Sequence, residues 1–305
     1  MNITVLGCGA IGQLWLAGLV SQGHNVQGWL RVPQTSCTVD VVTPRGENVR
    51  HQLPANNAAL LAESGLLLVT LKAWQVSGAI RTLLPQLKAD CAILLLHNGL
   101  GTREELPPLP QPLLQGITTH AAYRSETGSI IHVYNGTTRI GPLTPNGQTI
   151  SHLAEVLHEA LPDVAWHNNI AASCWLKLAA NCVINPLTAA YECRNGEIEH
   201  YIDQIEALCR EVAMVMDREG YHTSYESLLF YVGQTIKSTA GNTSSMLQDI
   251  RAQRHTEIDY INGYLVRRAR VHGLSVPENQ RLYELIKQKE DHYGRLGDGI
   301  SGDWE

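Results

Sequence analysis

Gly7-Cys8-Gly9-Ala10-Ile11-Gly12 follows a short apolar run at residues 3–6 and opens a segment, 11–20, whose apolar residues recur at helical spacing. Taken alone, the pattern G-x-G-x-x-G is weak, because glycine is common. Its setting makes it informative. A strand that ends in this loop and continues as a helix uses Gly7 for the tight turn and Gly9 for close approach of the backbone to a pyrophosphate. Gly12 lets the helix pack closely on the strand, and the helix amino terminus faces the phosphates. A plain strand–helix turn is the competing interpretation; the motif's place at the head of a β-α alternation favours a dinucleotide site.

That alternation continues outward. Residues 26–30 read as a second strand, and 38–42 and 48–51 flank the turn-rich Pro44-Arg45-Gly46 as a hairpin. Residues 66–71 and 92–96 read as buried strands, with a helix at 74–84 between them. Strands bracketing helices predict right-handed crossovers and a largely parallel sheet. From about residue 113 the strands come closer together, at 114–119, 129–134 and 137–140, with Asn135-Gly136 as a hairpin turn. This spacing predicts antiparallel strands added at a sheet edge. A helix at 150–161 and a short strand at 164–167 complete this half. Beyond it the pattern is helical, at 171–187, 201–219, 225–238 and a long 253–272 ended by Gly273. The expected domains are 1–167 and 168–293, with a mobile, glycine-rich and acidic tail at 294–305.

Bulk properties agree with a two-domain globular protein: 305 residues, 44% hydrophobic and 17% charged. A net charge of -6 argues against wholesale nucleic-acid binding while leaving room for a local basic site for an anion. Cysteines 8, 37, 91, 174, 182, 193 and 209 contain no C-x-x-C pair and read as free thiols of a reducing cytoplasm. Among thirteen histidines no H-E-x-x-H spacing occurs, so no metal is expected. No charged-then-apolar leader precedes residue 2, and the longest apolar runs fall short of the roughly 20 residues of a membrane span. A cytoplasmic protein without a membrane partner is the expectation.

The second strand decides which dinucleotide is bound. A carboxylate at its end would hydrogen-bond a free ribose 2′-hydroxyl. Here Trp29-Leu30-Arg31 stands in that place, and no acid follows before Asp40. A guanidinium meets a 2′-phosphate with paired, charge-assisted hydrogen bonds, so the bound form is NADPH. Lys72 emerges at the same sheet edge, either as a second positive charge or as a solvated loop lysine, and Gln75 offers a neutral hydrogen bond. Asn98, in His97-Asn98-Gly99-Leu100-Gly101, reaches a ligand or belongs to a bland turn.

Chemistry must come from the second half. Lys177, Asn181 and Asn185 fall at i, i+4 and i+8 within an otherwise apolar helix, Leu176 to Ile184. They are either the wet face of an amphipathic helix or a ligand site, and burying a lysine and two amides without partners is expensive. Lys177 is a natural proton donor to the alkoxide formed when a ketone accepts hydride. In Ser244-Ser245-Met246-Leu247-Gln248-Asp249, at least one serine is expected to cap a helix, while the pair also offers donors for a carboxylate. Glu257, in Arg254-His255-Thr256-Glu257-Ile258-Asp259, reads by itself as part of a solvated helix face.

Together these stretches resemble the ketopantoate reductases. The match runs through residues 3–10, Lys72-Ala73-Trp74-Gln75, His97-Asn98-Gly99, residues 177–188 and Asn195-Gly196-Glu197. It continues through Ser244-Ser245-Met246-Leu247-Gln248-Asp249 and Glu257-Ile258-Asp259-Tyr260-Ile261-Asn262-Gly263. The resemblance implies an α/β Rossmann-type dinucleotide-binding domain, followed by an all-α domain of the 6-phosphogluconate dehydrogenase C-terminal type. It implies reduction of 2-dehydropantoate to (R)-pantoate with NADPH, on the route to pantothenate and coenzyme A. Lys177 becomes the general acid and Glu257 its companion. Asn98, Asn181, Asn185, Asn195 and Ser245 become substrate-binding groups. Gly7, Cys8, Gly9, Ala10, Ile11, Gly12, Arg31, Lys72, Gln75, Asn98, Ala122 and Glu257 line the cofactor. The partner implied is a small acid, with the chain a monomer or weak homodimer.

Overall fold

The computed structural model describes residues 1–296. Among these residues it forms two compact units, one comprising Met1–His97 with Glu104–Ala171 and the other comprising Asn98–Arg103 with residues 172–296.

In the first unit, β1 (Asn2–Leu6), α1 (Ala10–Ser21), β2 (Asn25–Trp29), β3 (Ser36–Val42), β4 (Asn48–Pro54), α2 (Ala58–Ala62), β5 (Leu66–Val69), α3 (Ala73–Leu83) and β6 (Ala92–Leu95) follow one another. After α4 (Thr102–Glu105) come β7 (Leu113–Thr118), β8 (Ala121–Arg124), β9 (Ile130–Tyr134), β10 (Thr138–Pro142), α5 (Leu153–Ala160) and β11 (Val164–Trp166). Seven strands form one sheet in the order β11-β10-β7-β6-β5-β1-β2, parallel except where β10 meets β7. Its central strands are buried on both faces. Leu66 and Leu68 of β5 join one core with Trp15 and Leu16 of α1, while Leu67 and Val69 join another with Val76 and Ile80 of α3. Each such leucine contributes about 1.5–3 kcal/mol on burial, and the alternation explains why these strands read as unbroken apolar runs.

A second sheet, β4-β3-β9-β8, departs from the sequence expectation. The β3–β4 hairpin forms as read, from Ser36 opposite Pro54 to Val42 opposite Asn48. Asn135-Gly136, however, is no hairpin turn: β9 pairs with β8 in the small sheet, and β10 pairs with β7 in the large one. Thr119 N–H donates to Thr137 O (2.9 Å) and Gly136 N–H to His120 Nδ1 (3.0 Å), so the two chains pass from sheet to sheet together. The turn that reverses the chain is 125–129, closed by Ser125 N–H to Ser129 O (2.8 Å).

The second unit contains α6 (Ile170–Tyr191), α7 (Ile202–Arg218), α8 (Tyr225–Ser238), α9 (Ser245–Arg251), α10 (Asn262–Val271) and α11 (Pro277–Leu296). α6 is long and apolar enough to pass for a membrane span by composition, but it is mostly buried and serves as a core helix. Trp175, Leu178 and Cys182 pack into one cluster, and Ala180, Val183, Ile184 and Leu187 into another. The expected helix over 253–272 is broken. α9 ends at Arg251, Gln253 takes a left-handed φ of 54°, and a 3-10 turn, Ile258–Tyr260, precedes α10. At the other end, α11 continues through Leu296, three residues into the expected tail. One glycine costs a helix only about 1 kcal/mol relative to alanine, and Tyr293 anchors this turn by donating to Arg254 O. The remainder of that expected tail, 297–305, lies outside the described residues.

Candidate active site

In the first unit the site grows from the register of three strands. Leu6 pairs with Trp29 on one side and Val69 on the other, so Gly7, Arg31 and Lys72 leave the sheet at one carboxyl edge. Ligands of open α/β sheets bind at that edge. Gly7 sits at φ +96°, where a side chain would be strained and would meet Leu71 Cδ2 at 2.7 Å. A Cβ on Gly12 would lie 2.1 Å from Gly7 O, so the loop closes only around glycine. Thr70 secures it by donating from Oγ1 to Gly7 O (2.7 Å), a role that a lone threonine after a strand does not announce in sequence. Gly9 stands at the head of α1 in extended conformation, and no side chain caps the helix there. The first amide groups of α1, at Ala10, Ile11 and Gly12, therefore remain for an anion, and this donor set fits a pyrophosphate.

Cys8 contributes backbone only. Its thiol is buried and hydrogen-bonded to Cys37, which together with burial pushes it far up and keeps it neutral. Arg31 is exposed just past β2. Its loop is held by Asn56, whose side chain accepts from Leu30 N–H (3.2 Å) and Gln34 N–H (3.4 Å) and donates to Leu30 O (2.8 Å). Asn56 itself takes a left-handed backbone, φ 51°, which asparagine tolerates. Lys72 is half-buried at the head of α3. Gln75 is buried, and its Oε1 accepts from Lys72 N–H (3.1 Å), so its carbonyl serves as a helix cap. Ala122 lies on β8 of the small sheet and packs against the same core as Ala10 and Ile11 of α1.

In the second unit, the two apolar faces of α6 leave Lys177, Asn181 and Asn185 as a strip between them. Asn181 Nδ2 is buried without a hydrogen-bond partner in the protein, an orphaned donor one turn from Lys177. Glu257 is 5% exposed and heads the 3-10 turn, where it is far from the solvated helix face its neighbours suggest. Asn98 comes to it from a distant stretch of chain: Asn98 Nδ2 donates to Glu257 Oε1 (3.4 Å), and Leu100 N–H to Tyr260 O (2.8 Å). A Cβ on Gly99 would lie 2.3 Å from Tyr260 O, so Gly99 allows this approach. Burial pulls the Lys177 ammonium below its ordinary pKa, and Cys174 and Glu257 push it back up. Burial raises the Cys174 thiol to about 12, leaving it neutral, so the charge opposing the loss of the Lys177 proton belongs to Glu257.

The serines divide their work. Ser244 caps α9 by accepting from Leu247 N–H (3.1 Å) and lies 2.6 Å from Thr188 Oγ1, which ties α9 to the Asn185 turn of α6. Ser245 follows as the first residue of α9. Asn195 is buried beside these loops. Its Nδ2 donates to Thr239 Oγ1 (3.0 Å) while its Oδ1 has no partner in the protein. Lys177, Glu257 and Asn98 are thus gathered together, with Asn181 and Asn185 along the same helix.

A glycine loop feeding an uncapped helix, in one chain with a helical unit that gathers a lysine, a glutamate and several amides, defines a nicotinamide-dependent oxidoreductase. Comparison with known proteins specifies which kind. The ketopantoate reductase PanE/ApbA family model matches residues 3–145, and the ketopantoate reductase PanE/ApbA C terminal model matches 169–290. Over 304 residues the chain is 61% identical to the 2-dehydropantoate 2-reductase of Yersinia pestis, covering 100% of both proteins. Its fold is shared with a PanE/ApbA family ketopantoate reductase from Ralstonia eutropha JMP134 (TM-score 0.85, 23% identity, covering 96% of this chain and 100% of that one). D-mandelate dehydrogenase, in a ternary structure with NADH and anilino(oxo)acetate, is similar as well (TM-score 0.84, 23% identity, 96% and 100% covered). The chain belongs to the ketopantoate reductase family.

Proposed function

We propose that this chain reduces 2-dehydropantoate to (R)-pantoate with NADPH, the reductive step toward pantothenate and coenzyme A. The full-length identity to 2-dehydropantoate 2-reductase supports the substrate. The observation that carries the chemistry is the Asn98–Glu257 contact beside Lys177.

Reduction of a 2-keto acid adds hydride to C2 and a proton to its oxygen. NADPH, when bound, supplies the hydride. Lys177 donates the proton: burial makes its ammonium a stronger acid, and Glu257 keeps it charged until the oxygen becomes basic. Its positive charge also stabilises the developing alkoxide. Asn181 Nδ2, Asn185, Asn195 and Ser245 hold and orient the substrate, with the Ser245 hydroxyl a donor to its carboxylate. Asn98 fixes the Glu257 carboxylate. In the first unit, the α1 amides receive the pyrophosphate, Lys72 adds positive charge, and Arg31 meets the 2′-phosphate. The enzyme acts in the cytoplasm on a small acid, as a monomer or weak homodimer.

The test follows NADPH absorbance with ketopantoate and with other 2-keto acids, for wild type and Arg31→Ala. Ketopantoate is the preferred substrate. Arg31→Ala loses about ten- to a hundredfold in kcat/KM for NADPH, as expected for removal of charge-assisted hydrogen bonds, and little for NADH. Equal use of both cofactors by the wild type would contradict the part given to Arg31.

A further inference from the structure

Glu257 does not hold itself in place. It lies on a short irregular stretch between α9 and α10, and the residues on either side of it are gripped from α11. Glu290, 6% exposed, accepts through Oε1 from Thr256 N–H (2.8 Å) and from the Thr256 hydroxyl. Thr256 Oγ1 in turn accepts from Ile258 N–H (3.2 Å), closing a ring of bonds around the residue between them. Beyond Glu257, Tyr283 donates to Asp259 Oδ1 (2.7 Å) and Lys287 to Asp259 Oδ2 (3.0 Å). Lys287 also donates to Glu290 Oε2 (3.2 Å), and His255 Nδ1 stands 3.6 Å from the same oxygen. Tyr283, Lys287 and Glu290 are spaced to share one face of α11.

We infer that Glu290 is a positioning residue for the reaction: by fixing Thr256 it sets where the neighbouring Glu257 carboxylate stands. The inference rests on the role proposed for Glu257. Glu290 touches neither substrate nor proton in this scheme. Thr256 is fully buried, so if Glu290 is lost its amide and hydroxyl cannot turn to water, and the stretch must rearrange to satisfy them.

The test compares wild type, Glu290→Ala, Glu290→Gln and Glu257→Gln in kcat, KM and pH profile, with thermal unfolding to establish that each is folded. Glu290→Ala lowers kcat by about ten- to a hundredfold, the scale of a misplaced catalytic group, and by more than it raises KM. Its alkaline limb moves to lower pH, because among Cys174 and Glu257 it is Glu257 whose charge holds Lys177 protonated, and that charge has shifted away. Glu290→Gln recovers most of the loss, since a carboxamide oxygen still accepts from Thr256. Should Glu290→Ala not fold, Thr256→Val, equal in shape but lacking the hydroxyl, is expected to give the same two changes. A folded Glu290→Ala with unchanged kcat and an unmoved limb, beside an inactive Glu257→Gln, overturns this inference alone. A fully active Glu257→Gln overturns the reading of Glu257 and this inference with it.

Discussion

His120 and His132 meet through Nδ1 and Nε2 at 3.1 Å, both buried, with Gly136 N–H also donating to His120 Nδ1. Burial, then the neighbouring His132, pushes His120 down to about 4, and burial lowers His132 as well. A base whose folded pKa lies below its unfolded value stabilises the fold above the unfolded pKa, near 6.5. That stability is lost as pH falls toward the folded value. The denaturation midpoint should therefore drop more steeply between about pH 6.5 and 4 in wild type than in His120→Gln/His132→Gln; parallel slopes would deny the pair this role. Other single residues were plain in the sequence. Lys177, Asn181 and Asn185 were visible because four-residue spacing on an apolar helix leaves polar groups conspicuous. Thr70, Asn56 and Glu290 were not, because each acts on the backbone of a remote loop, and no local pattern encodes a partner that distant.

At the scale of elements, α6 contains Pro186, which has no N–H to give to Cys182 O one turn back. Asn262, fully buried, fills the gap: its Nδ2 donates to Cys182 O (3.0 Å) and lies 3.0 Å from Asn279 Oδ1. Asn279 is also fully buried, and its Nδ2 donates to Glu211 Oε2 (2.6 Å). Asn262→Ala should lower stability by about 1–3 kcal/mol in chemical denaturation, the cost of stranding buried acceptors. Pro186→Ala in the same chain should restore part of it, since an alanine in place of the proline regains the helical N–H. If the double variant is no better than the single one, Asn262 is not standing in for that hydrogen bond. This also explains why the segment 253–272 misled. Ile258, Ile261, Leu265 and Ala269 keep near-helical spacing and are all buried, but Arg254 N–H turns back to Asp249 O (2.8 Å) and Thr256 is taken by Glu290. Periodicity reports burial, and a broken chain can bury the same residues. The strands of the large sheet were easier to read, because runs buried on both faces have few other interpretations. The passage of 119–120 and 135–137 between sheets was hidden behind an ordinary Asn-Gly signal.

Across the whole molecule the chain divides its labour. In the proposed scheme the unit with the glycine loop, the uncapped helix and Arg31 holds NADPH, while the helical unit gathers Lys177, Glu257 and the amides. Residues 98–103 belong with the second although the chain on either side belongs to the first, and that interruption puts Asn98 beside Glu257. No sequence period could have shown it, since it depends on Gly99 meeting Tyr260. The division has a direct consequence. Removing the Lys177 amine should slow the chemistry sharply while leaving cofactor binding intact. The decisive measurement pairs NADPH titration with ketopantoate turnover for wild type and Lys177→Ala. The account predicts the same NADPH affinity in both proteins and a fall in kcat of about 10² or more in the variant, the range of a lost general acid. Turnover of ketopantoate by folded Lys177→Ala at the wild-type rate would contradict it.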